Sequence, residues 1–140
     1  MARGSENPGV PEMLIGFKKQ FAHLVEFGEK TQTIRVFPKR VPKIGETAYL
    51  YTGLRTKQCR CLGEGKIESL KIIYFDRREG RLVSIEDDSP GLKNGQTFDL
   101  TDMARADGFS CWEEMRDWFE QTHGLPFEGL LIKWTDFRRV

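Results

Sequence analysis

The apolar residues of this chain come in short runs, and nearly every run is stopped by glycine or proline. "MLIGF" (13–17), "TQTIRVF" (31–37), "TAYLYTG" (47–53), "RTKQCRCLGEG" (55–65), "KIESLKIIYF" (66–75), "RLVSIE" (81–86) and "FEGLLIKW" (127–134) each read as a strand. Pro38 stops the second run and Gly53 the third, and the Gly63–Gly65 pair predicts a bulge or sharp bend. "DRREG" (76–80) predicts a hairpin, and the turn formers of "DDSPGLKNGQ" (87–96) predict a loop. Strands and helices do not alternate in a βαβ rhythm, and there is no internal repeat. About six or seven short, turn-linked strands with three helices confine the chain to an α+β class. The expected architecture is a small, mostly antiparallel barrel with the helices on its outside or ends.

The helices show by period. Phe17, Phe21, Leu24 and Val25 recur at i, i+4, i+7, i+8, with Lys18, Lys19, Gln20, His23 and Glu26 opposite. Gly28 stands where a helix C′ residue takes positive φ at little steric cost. A second helix is expected at about 100–106, and a third begins at "SCWEE", where Ser110 and Glu113 have capping-box spacing. Trp112, Met115, Trp118 and Phe119 form its buried stripe, and Gly124 and Pro126 end it. Residues 1–12 lack an apolar signal core and read as a disordered polar tail ahead of a single domain at 13–140.

No stretch approaches the roughly 20 apolar residues of a membrane span, and three cysteines without framework spacing fit a reduced, cytoplasmic protein. Cys59 and Cys61 share a strand face, but zinc wants four ligands and the others are missing, so neither metal nor cofactor is expected. The net charge of +1 hides an asymmetry: Lys30–Lys66 holds nine basic and two acidic residues, and Ser84–Gln121 three basic and ten acidic. Either the basic half faces phosphates or the two halves neutralise each other in the fold.

Strand parity makes residues 28–35, "GEKTQTIR", the most specific stretch. Thr31, Thr33 and Arg35 share one face, and Gln32 and Ile34 take the other. Lys30 has the wrong parity to join Arg35 along a regular strand, and reaches the same face only from the turn after Gly28. The octapeptide resembles the GxKxxExR signature of ASCH domains, relatives of the PUA domain. Gly28, Lys30 and Arg35 match, and Thr33 replaces the glutamate, as in the "KTxTIR" variant of small N4-acetylcytidine amidohydrolases. "PKIGE" before a strand and "DGFSCWEEM" are also ASCH-like, so the resemblance spans roughly 13–134. It implies a PUA-like barrel with an RNA-, nucleoside- or nucleotide-binding cleft at the motif, and ribonuclease or deacetylase activity in some members.

The resemblance implies a late carboxylate too, and Asp107 stands at that position, one methylene shorter than the family's glutamate. Lys30 is then a phosphate contact or a base, Thr33 a nucleophile or simply a good β-former, and Arg35 a ligand contact or a structural ion pair. Asp107 is either an orienting acid or a turn residue before Gly108. Lys39, Arg40 and Lys43 are phosphate-contact candidates or a solvated basic loop, and Tyr49, Tyr51 and Phe37 are base-stacking candidates or core. Trp112, Trp118 and Trp134 read as core, and neither His23 nor His123 has a partner spacing that suggests catalysis. RNA or nucleotide binding in a basic cleft is the first expectation. An amidohydrolase of N-acylated cytidine and a protein-interaction module are the alternatives.

Overall fold

The computed structural model describes residues 12–78, 80–84 and 100–139, with only the backbone given for 80–84 and residue 100. Of the tail expected at 1–12, residues 1–11 lie outside the described residues, as does the loop at 87–96, while Glu12 belongs to the first strand. The elements are β1 (Glu12–Phe17), α1 (Lys19–Glu26), β2 (Gln32–Arg35), β3 (Thr47–Thr52), β4 (Arg60–Phe75), β5 (Gly80–Ser84), α2 (Leu100–Ala106), α3 (Trp112–Thr122) and β6 (Phe127–Arg139). They form one curled sheet in the order β1-β3-β4-β6-β2, with β5 added to β4. Among the described residues, only the β1–β3 pair is parallel. The result is a mixed, mostly antiparallel half-barrel carrying three helices.

β4 organises this sheet. Its first half pairs with β3, its second half with β5, and β6 runs along its length from Gly63↔Arg139 to Phe75↔Phe127. Two separate runs were expected here, yet Arg60–Phe75 is one continuous strand, and the bulge expected at the glycines is present as register shifts beside them. The glycines serve close packing. A Cβ on Gly63 would lie 2.6 Å from the Phe137 ring, and one on Gly65 would lie 3.0 Å from Trp134. Their missing side chains let the aromatic residues of β6 cross β4.

The helices bury the stripes that their periodicity requires. α1 contributes Phe21, Ala22 and Val25, and α3 contributes Trp112, Met115 and Phe119. Phe75 sits at the centre of the aromatic core, with ring centroids 5.0 Å from Phe119 and 5.5 Å from Trp112, both near-perpendicular. Trp134 is also buried, whereas Trp118 is only half-buried. The capping box does not form. α3 starts one residue later than expected, with Cys111 at the N-cap and no side-chain cap bond.

The sheet's two ends, β1 and β2, are not paired with each other. They are tied instead by Arg35, whose Nη2 donates to the backbone carbonyl of Gly16. The same side chain therefore belongs to the motif and closes the half-barrel.

Candidate functional site

Two helices, each ended by a glycine, deliver the two central charges. α1 stops at Phe27, and Gly28 (φ +79°) turns the chain so that the amides of Glu29 and Lys30 both return to the Leu24 carbonyl. α2 is followed by Asp107 and then Gly108 (φ +98°), whose turn is closed by Phe109 N–H on the Ala104 carbonyl. Lys30 thus enters from the turn, off the strand parity, as the sequence requires. Its Nζ donates to the Asp107 carbonyl oxygen and lies 3.3 Å from Asp107 Oδ2. Both side chains are almost wholly buried, at 3% and 5% exposure. The Lys30 ammonium also lies 5.0 Å from the Phe21 ring centroid.

β2 supplies the other half. It pairs antiparallel with β6, so Thr33 faces with Ile132 and Arg35 with Leu130, on the inner side of the sheet. Arg35 Nε donates to Thr33 Oγ1 at 2.9 Å, and its guanidinium lies over the Phe17 ring at 5.1 Å. Lys30, Thr33, Arg35 and Asp107 all line one cavity of about 350 Å³, walled by Phe17, Phe21, Phe109 and Trp118. That volume falls within the roughly 300–1,000 Å³ of small-molecule sites.

Burial governs the electrostatics. It pushes the Lys30 amine below the ordinary lysine range, with Asp107 opposing and Arg35 assisting. It pushes the Asp107 carboxyl upward, against the pull of Lys30, Gln32 and Arg35. Asp107 Oδ1 is closed off from solvent, and the Gln32 amide beside the carboxyl donates to the Met103 carbonyl at 3.3 Å and also favours the charged carboxylate.

The remaining sequence candidates lie elsewhere. Thr31 precedes the strand rather than belonging to it, and its N–H donates to the Ala106 carbonyl at 3.0 Å. Lys39, Arg40 and Lys43 do not line this cavity. Arg40, read as a phosphate contact or part of a solvated loop, grips the buried Glu46 carboxylate through both terminal nitrogens and donates to the Glu12 carbonyl at 2.8 Å. Lys43 N–H donates to Glu46 at 3.0 Å, while the side chains of Lys39 and Lys43 are exposed. Of the stacking candidates, Tyr51 is buried, Tyr49 half-buried and Phe37 exposed. Among the described residues, no three His, Cys, Asp or Glu side chains gather as a metal site. No helix among them is long and apolar enough to cross a membrane.

Two cavity residues escaped the sequence reading. Trp118, read as core, forms part of the wall, with the Lys18 ammonium 5.2 Å from its ring centroid. His123 lines the same wall, its imidazole held below the ordinary histidine range by burial and by Lys18. Trp118, Thr122 and His123 recur at i, i+4, i+5, so the face they share was present in the α3 pattern; nothing in the pattern marked it as lining a cavity.

No protein-family model matches the chain, and no curated protein matches it. Among solved structures, the chain resembles a crystal structure of a tyrosine-to-phenylalanine mutant of ZmASCH, a protein from Zymomonas mobilis. The two share 15% identity with a TM-score of 0.51, over 91% of this chain and 71% of the other. The chain therefore has the ASCH-like fold that the "GEKTQTIR" stretch led one to expect.

Proposed function

We propose that the cavity binds the base of a nucleoside or nucleotide, and that Lys30, Thr33 and Asp107 equip it to cleave an N-acyl amide on that base. One observation carries this reading. Residues from the α1–β2 turn, β2 and the end of α2 line one cavity, with the Lys30 amine 3.3 Å from the Asp107 carboxylate. The "KTxTIR" variant and its resemblance to N4-acetylcytidine amidohydrolases supply the substrate class.

In this mechanism Thr33 Oγ attacks the acyl carbon, and Lys30, its proton affinity lowered by burial, takes the hydroxyl proton. Arg35 already donates to Thr33 Oγ1, which leaves the hydroxyl hydrogen available, and its guanidinium offers positive charge to the oxyanion as it forms. Collapse breaks the C–N bond, and Lys30 returns the proton to the departing base nitrogen. Water, deprotonated by Lys30, then attacks the acyl carbon; the bond to Thr33 Oγ breaks, Lys30 returns the proton to Oγ, and the acyl group leaves as a carboxylic acid. Asp107 fixes the lysine amine in place throughout.

The test is incubation with N4-acetylcytidine, with cytidine and acetate quantified. Wild type is expected to release both in equal amounts. Thr33→Ala is expected to bind the nucleoside and lose turnover, by about 10³-fold or more. The rate should rise with pH and level off below 10.5, the ordinary lysine value, because the base must lose its proton first. Binding without turnover in wild type would leave a nucleoside-binding protein and remove the hydrolase.

A second reading, in which the base belongs to an RNA, is favoured by the loop after β2. Val36 lines the cavity, and the chain then runs outward through exposed Phe37, Lys39 and Lys43. Phosphate contacts there would make RNA affinity fall steeply with salt, and Lys39→Ala and Lys43→Ala would flatten that slope.

A further inference from the structure

A second cavity lies beside the first. It measures about 740 Å³ and sits between the start of α1 and the loop that joins β3 to β4. Gly16, Phe17 and Lys18 line both cavities, so the β1–α1 junction is their common rim. Lys19, Gln58 and Arg60 line the second and not the first, and among the described residues that line the second none is acidic.

Positive charge is in excess here. α1 opens with Lys18 and Lys19, and it has no acidic residue in its first turn and no side-chain cap bond. The amides that open a helix carry partial positive charge, so cations there are unfavourable until an anion joins them. The loop adds to the excess, since "TGLRTKQCR" (52–60) holds Arg55, Lys57 and Arg60 and no acid. Arg60 donates to Glu26 at 2.7 Å, but Arg139 stands 3.6 Å from the same carboxylate, so one acid answers two guanidiniums. Both walls are held in place. Thr52 Oγ1 donates to the Phe17 carbonyl at 3.0 Å. The loop closes on itself through Thr56 N–H on the Gly53 carbonyl at 3.0 Å and Gln58 N–H on Thr56 Oγ1 at 3.1 Å.

From this we infer that the second cavity is a phosphate subsite of the first: a nucleotide sets its base beside Thr33 and Arg35 and its phosphate beside Lys19 and Arg60. The inference rests on the reading of the first cavity as a base-binding site. It adds a preference that the base alone does not supply, for phosphorylated over free nucleosides. Lys18 stands between the two, its ammonium 5.2 Å from the Trp118 ring centroid on the first cavity's wall.

The experiment is calorimetric titration of the full chain at low salt with cytidine, cytidine 3′-monophosphate and cytidine 5′-monophosphate. At least one monophosphate is expected to bind about tenfold or more tighter than cytidine, as one charge-assisted contact allows. That gap should narrow as salt is added. Lys19→Glu is expected to bring it below about threefold. Lys19 is exposed and an acid suits a helix start, so this variant should fold. Cytidylyl-cytidine, which carries a diester, separates the two sources of phosphate. Binding tighter than either monophosphate assigns the subsite to an RNA linkage, weaker binding assigns it to a free nucleotide, and both keep the phosphate contact. Equal affinities for cytidine and both monophosphates would overturn the subsite while leaving the first cavity a nucleoside site. A phosphate preference that survives Lys19→Glu would overturn its placement in the second cavity. No binding of any of these ligands would overturn both the subsite and the reading it rests on.

Discussion

Burying Lys30 and Asp107 removes two charges from water, and their contact offsets that cost only while both are present. Lys30→Met should therefore lose about 3–5 kcal/mol in urea unfolding, because Asp107 stays behind unpaired. Lys30→Met with Asp107→Leu should recover most of that loss. A single variant within about 1 kcal/mol of wild type would show that the pair carries little of the fold's stability. Glu46 tests the other charged anchor by titration. Burial alone would raise its carboxyl, but the Arg40 guanidinium and the Lys43 N–H outweigh it and hold the group below 4.5. The folded chain thus holds fewer protons at this site than the unfolded chain. The resulting stability is present above pH 4.5 and is lost as pH falls through the lower folded value. Glu46→Gln should cost about 1–2 kcal/mol at pH 7, modest because Arg40 is more than half exposed. The difference between the two proteins should shrink as the solution is acidified below pH 4.5, and a constant difference would refute the assignment.

At the level of elements, the motif strand depends on a glycine outside the motif. A Cβ on Gly129 of β6 would stand 2.3 Å from the Arg35 carbonyl oxygen and 2.8 Å from the Phe127 ring. Gly129→Ala should push β2 off β6 at a cost of about 1–3 kcal/mol, and amide exchange at Thr33 and Ile34 should quicken. Unchanged exchange would mean that β2 is held by other contacts. The pairing that makes Gly129 matter is long-range, which is why the sequence offered no hint of it. Local signals were legible: the α1 stripe, the Gly28 turn, the β4–β5 hairpin and the inward face shared by Thr33 and Arg35. Signals that depend on a partner element were not. The bulge expected at Gly63 and Gly65 is there, but the rings that these glycines accommodate lie far along the chain and left no trace in the local pattern. Ser110 and Glu113 had capping spacing, but α3 begins at Trp112 and Cys111 takes the N-cap.

The whole molecule is an unclosed sheet whose ends meet across a cavity, and Arg35 is the tie. Lysine there keeps the charge but loses the planar fork that reaches Thr33 and Gly16 together. Arg35→Lys should cost about 1.5–3 kcal/mol and speed amide exchange at the end of β1, whereas an exchange pattern like that of wild type would mean that the ends are held without it. The sequence could place Lys30, Thr33 and Arg35 near one another because they are neighbours in the chain. That Asp107 joins them was expected only from family resemblance, since its contact with Lys30 spans 77 residues. Trp118 and His123 were missed because a half-buried helix face looks the same in sequence whether it meets core or cavity. Nuclear magnetic resonance titration with N4-acetylcytidine tests the central claim most directly. The account predicts saturable shifts at the Thr33, Arg35 and Asp107 amides and at the Trp118 indole. Shifts confined to residues 39–43, or none at all, would contradict it.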